Sequence, residues 1–143
     1  KDEALYMNNF AFEYLLEERW EEAIPYFEKA ARMFKDADIP FEFFNARANY
    51  WICRFNLGNL DDIESMEMEL KEILSKFKGS GRWYERKPLI LLAKIEEKRG
   101  NIHKAIALVE KAIASARDSN TRYPELDAKY LNHLKKASSG KLG

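Results

Sequence analysis

Few side chains in this sequence are equipped for acid–base, nucleophilic or metal chemistry. The two histidines, His103 and His133, fall in different helical segments, and neither sits at metal-ligand spacing from a carboxylate. His103 follows Gly100-Asn101-Ile102 in the first turn of a helix and reads as a surface residue. The single cysteine, Cys53, excludes an internal disulfide and a thiolate metal cage. It neighbours Ile52 on an apolar helix with no base beside it in sequence, so it reads as a buried, inert thiol. Gly79-Ser80-Gly81 lacks the downstream Gly-Lys-Ser/Thr of a phosphate-cradling loop and reads as a linker. Carboxylates abound, but on helix surfaces they serve solvation rather than a catalytic dyad. The chain is therefore expected to be no enzyme, with no metal and no cofactor.

The elements that carry these residues follow from composition and punctuation. With 143 residues, 46% hydrophobic and 34% charged, the chain is long enough for one domain with a shared core and too apolar for disorder. Val109 is the only valine and Thr121 the only threonine, while Ala, Leu, Glu and Lys are plentiful, which favours helices over a large sheet. The longest aliphatic run, Leu89-Ile90-Leu91-Leu92-Ala93, is far short of a bilayer span, so no membrane association is expected. Because the sequence opens at Lys1, it is expected to be a fragment of a larger protein. One cysteine and no targeting segment point to the cytoplasm.

Breaks fall near Glu18-Arg19, Asp36 to Pro40, Gly58-Asn59, Lys78 to Gly81, Gly100-Asn101 and Asp118 to Pro124, and delimit seven helical segments. Between them apolar residues recur at helical steps: Ala23, Phe27, Ala30, Phe34; then Phe44, Ala48, Trp51, Phe55; then Ala105, Leu108, Val109, Ala112. Gly58 and Gly100 suit the left-handed position just past a helix end. Asp61-Asp62 suits the positive end of the next helix, and Pro124 suits the start of the last. Pro25 lies about one turn inside its helix, where a lost backbone bond predicts a late start or a mild bend. Ala23-Ile24, Ile63-Glu64 and Ala105-Ile106 occupy matching places, 40 and 42 residues apart, which is the period of stacked helical hairpins.

Met7, Phe10, Ala11, Tyr14, Trp20, Ala23, Phe27 and Ala30 resemble a tetratricopeptide repeat, with small and large residues at that family's offsets. Leu89, Leu92, Ala93, Gly100, Ala105, Val109 and Ala112 repeat the likeness, although Glu96 stands where an aromatic is usual and Lys35 replaces the first repeat's terminal proline. The middle pair fits only with an extra helical turn, which makes Ala48 the small residue and Trp51 the aromatic one. That agrees with spacings longer than the family's customary repeat of about 34. The resemblance implies a right-handed, all-α superhelix of three stacked helical hairpins, at about 3–36, 40–77 and 82–118, capped by a helix at about 124–137. His133-Leu134-Lys135 also faintly resembles histidine phosphotransfer domains, but Lys136 stands where that family has glycine.

In such a solenoid the first helix of each hairpin lines a concave wall. Asn8, Phe12 and Leu15 lie off the first packing stripe, Asn45, Asn49 and Ile52 off the second, and Lys87 and Lys94 off the third. The resemblance implies that Asn8, Asn45 and Asn49 hold a peptide main chain through amide donors and acceptors. Lys87 and Lys94 would meet acidic side chains or a terminal carboxylate, while Phe12, Leu15 and Ile52 supply apolar contact. The family's carboxylate clamp needs Lys and Asn one turn apart on the first wall helix, and Asn8 and Phe12 do not provide it. The expected partner is a protein or peptide, acidic towards the C-terminal half, or a second copy of the chain. Formal charge is zero overall, but residues 1–80 hold ten Lys/Arg against seventeen Asp/Glu, and residues 81–143 hold fourteen against seven. A zero total excludes the basic surplus that nucleic-acid binding needs.

Overall fold

The structure, a computed structural model, describes residues 2–78, 83–117 and 121–140. Seven α-helices occupy them: α1 (Asp2–Leu16), α2 (Trp20–Asp36), α3 (Pro40–Leu57), α4 (Ile63–Phe77), α5 (Arg86–Lys98), α6 (Ile102–Ala116) and α7 (Tyr123–Ser138). A single 3-10 turn, Trp83–Glu85, leads into α5, and no strand occurs among the described residues. The protein is all-α, as its scarcity of β-branched Val and Thr implies. The Gly79-Ser80-Gly81 linker and the start of the break at Asp118 lie outside the described residues.

Three connections end their helices in the same way. Arg19 N–H donates to Tyr14 O at 2.8 Å, Ile39 to Phe34 O at 2.9 Å and Asn101 to Glu96 O at 2.9 Å, each reaching back five residues. The residue before each donor is left-handed: Glu18 (φ 59°), Asp38 (φ 57°) and Gly100 (φ 82°). This is the Schellman ending, which satisfies the orphan carbonyls of the last turn and leaves three residues to reverse the chain. Two of the three lack glycine, so part of their stabilisation offsets a side-chain clash that costs about 1–2 kcal/mol. Gly58 (φ 84°) closes α3 and Pro40 opens it. Pro25 sits inside α2, which nonetheless begins at Trp20, so the late start is not observed.

The chain folds as two compact units, residues 1–66 and 67–143. Helix α4 runs across the boundary. In the first unit α1 packs on α2, α2 on α3, and α1 also touches α3. Ala11 and Ala23, the expected small residues, are fully buried, and Ala4, Ala30, Ala31 and Ala46 surround Phe34. Alanine at these places lets backbones approach closely, while the buried Phe27 and Phe34 contribute about 2 kcal/mol each through apolar burial. The second unit is centred on Leu89, Ala93, Ala105, Val109 and Ala112, with Leu74 of α4 packed against them. Helix α7 lies on α6 and contributes the fully buried Leu134. The charge divides at the same boundary: seven Lys/Arg against fourteen Asp/Glu in residues 1–66, seventeen against ten in residues 67–143.

Candidate functional site

Six of the eight residues assigned to a binding wall belong to the first unit. Asn8, Phe12 and Leu15 on α1 are half-buried, as are Asn45 and Ile52 on α3. Asn49 is 1% exposed and belongs to the interior. The oxygens Asn8 Oδ1 and Asn49 Oδ1, like the indole nitrogen Trp51 Nε1, are buried without a hydrogen-bond partner among the described residues. Beside them on α3, Tyr50 and Trp51 meet edge-to-face at 4.9 Å. The Arg47 guanidinium lies 4.4 Å from the Tyr50 ring centre, and Arg54 donates to Tyr50 Oη at 2.7 Å and to Asp62 Oδ2 at 2.7 Å. Asp62 thus ties the turn after Gly58 back to α3, a role additional to its place before α4.

Cys53 is fully buried, and that burial pushes its thiol up to about 12, so no thiolate forms near neutral pH. No cluster of three metal-ligating side chains exists among the described residues, and no described helix is long and apolar enough to cross a membrane.

Lys87 and Lys94, the remaining two assigned residues, are on α5 in the second unit. Burial, then the neighbouring Arg86 charge, pushes Lys87 down to about 8. Lys94 is lowered by the same two causes in the same order, against opposing pulls from Asp127 and Glu97. Arg86 itself is clamped. Its Nε and Nη2 donate to Asp127 Oδ2 and Oδ1 at 3.0 and 2.8 Å, and its guanidinium stacks 4.2 Å from the Tyr123 ring centre. Asp127 is only 2% exposed, so this bidentate pair fastens α7 to α5 from inside. Tyr130 Oη donates to Glu97 Oε1 at 2.8 Å, and His133 Nε2 lies 3.5 Å from Glu97 Oε2. Desolvation and that carboxylate raise the Tyr130 phenol. His133 is therefore a surface neighbour of a carboxylate at the edge of the α7 contact.

The second unit also carries a feature that sequence reasoning missed. Glu96, 7% exposed, accepts from Arg99 Nη1 at 3.0 Å and from Asn101 Nδ2 at 3.3 Å, and the same Arg99 nitrogen donates to Glu67 Oε2 at 2.7 Å. The arginine holds the Glu67 carboxyl below its ordinary range. This network floors one end of a seam between α4 and α6. Two depressions of about 380 and 460 Å³ lie along it, with Lys71 lining both. Leu92 and Leu108 line the first depression, Leu74 and Leu89 the second. The available signal was Glu96 itself, a carboxylate on the apolar stripe of Leu89, Leu92 and Ala93.

Comparison of the chain with models of known families, with curated proteins and with solved structures found no match.

Proposed function

We propose that the protein is a non-catalytic interaction module, its helical hairpins stacked in the right-handed manner of tetratricopeptide repeats, that holds an extended segment of a partner protein. The observation that carries this reading is the unpartnered amide oxygen Asn8 Oδ1 of a half-buried side chain on α1, the helix that touches α3. A desolvated acceptor without a donor costs about 1–3 kcal/mol. A main-chain N–H of a bound segment supplies the missing donor at the half-buried Asn8, with Asn45 on the neighbouring helix as a second amide. Phe12, Leu15 and Ile52 provide apolar contact. On the second unit, Lys87 and Lys94 are the proposed partners for acidic side chains. The buried thiol supports a role without catalysis, and sparing use of cysteine supports a cytoplasmic setting.

Peptides selected from a displayed library and titrated against Asn8→Ala/Asn45→Ala protein test the assignment. Loss of two amide contacts, at roughly 0.5–1.5 kcal/mol each, weakens binding by about 5- to 150-fold. Unchanged affinity removes the asparagines from the site.

A further inference from the structure

The seam between α4 and α6 is edged by four exposed lysines. Lys71 and Lys78 are seven residues apart along α4 and its end, and Lys104 and Lys111 are seven apart on α6. Seven residues are two helical turns, so each pair marks one edge of the seam at a separation of about 10 Å. Within the seam Arg99 is matched to Glu67 and Glu96, Lys71 also lies 3.7 Å from Glu67, and Glu85 is the one further carboxylate beside the lining residues Lys78, Lys104 and Lys111. Positive charge therefore predominates over an apolar floor.

The chain itself carries the complementary surface. The outer face of α1 exposes Tyr6 (68%), Phe10 (57%) and Leu16 (66%), and Asp2, Glu3, Glu13 and Glu17 stand exposed on the same side. Solvent-exposed aromatics on a helix ringed by carboxylates are the pattern of an acidic amphipathic helix seeking a basic, apolar groove. The net charges of the two units, −7 and +7, have the same complementarity. We propose that the α4/α6 seam of one copy receives the outer face of α1 from a second copy of this chain. Because the two patches differ, the contact is heterologous, and each copy keeps one free donor face and one free acceptor seam.

The test is sedimentation of the full chain with two double variants, Tyr6→Ser/Phe10→Ser and Lys104→Glu/Lys111→Glu, all four positions lying on exposed helix surface. Wild type is expected to exceed the monomer mass with rising concentration at low salt, and to dissociate as salt screens the lysines. Each variant alone is expected to stay monomeric, with circular dichroism reporting intact helices. Mixed, the two variants are expected to form a 1:1 dimer and nothing larger, since one retains the seam and the other the α1 face. The proposal is overturned by wild type that is monomeric at every concentration. It is equally overturned by variants that still self-associate, or by a mixture that fails to pair.

Discussion

Removing the Arg86 side chain is expected to cost far more than its partly exposed position suggests. In Arg86→Met, Asp127 loses two hydrogen bonds of 3.0 and 2.8 Å yet stays in a place where it is 2% exposed. An uncompensated buried charge costs about 3–5 kcal/mol. Lys94, whose ammonium is favoured by Asp127, supplies part of the missing positive charge. The lower end, about 3 kcal/mol, is therefore the expected loss. Asp127→Asn leaves an acceptor for Arg86 and removes the buried charge, so about 1 kcal/mol is expected there. The double variant Arg86→Met/Asp127→Leu replaces the pair by apolar contact and is expected to lie within about 1 kcal/mol of wild type. Urea unfolding of the four proteins measures these costs, and hydrogen exchange along α7 reports whether that helix detaches first. If Arg86→Met costs less than about 0.5 kcal/mol, or the double variant is the worst of the three, the interior clamp is refuted.

Three further outcomes follow from particular groups. Glu18→Gly is expected to stabilise the chain by up to about 1 kcal/mol, because Glu18 is left-handed (φ 59°) where glycine meets no clash, while Gly58→Ala (φ 84°) is expected to destabilise by a similar amount. Urea midpoints with unchanged slopes measure both. Lys87 releases its proton near pH 8 when folded and nearer its ordinary 10.5 when unfolded. At Lys87 the unfolded chain therefore binds more protons between those values, so stability should rise with pH from about 8 to about 9, less steeply in Lys87→Met; above that Cys53, which the folded chain keeps protonated up to about 12, opposes the rise. Lys94, lowered in the same sense, contributes a slope of the same sign. Cys53, pushed up to about 12 and fully buried, should react with a thiol reagent at pH 8 only as fast as the chain opens, so labelling should accelerate steeply with urea; prompt labelling in buffer would contradict that burial.

Local features were legible in the sequence and long-range polar contacts were not. Gly58 and Gly100 announced left-handed helix ends because backbone sterics act on one residue at a time. Ala23 and Ala105 announced buried seams through the spacing of the stripes around them. Asn49 was read onto the same open face as Asn45 because a single apolar stripe was assumed for α3. That helix contacts both α1 and α2, so Ala46, Ala48, Asn49, Tyr50, Trp51 and Cys53 are all buried, and one-stripe periodicity underestimates a helix packed on more than one side. The Arg86–Asp127 clamp joins residues 41 apart, and the Arg99–Glu67 bond joins residues 32 apart. Neither spacing has a local signature, since such pairs exist only once helices distant in sequence have been brought together.

The most direct test is amide chemical-shift mapping of the labelled chain with a peptide chosen for binding to it. The proposed function requires the largest changes to fall at Asn8, Phe12 and Leu15 of α1 and at Asn45 and Ile52 of α3. Perturbations confined to other helices, or failure to select any peptide that binds, would contradict it.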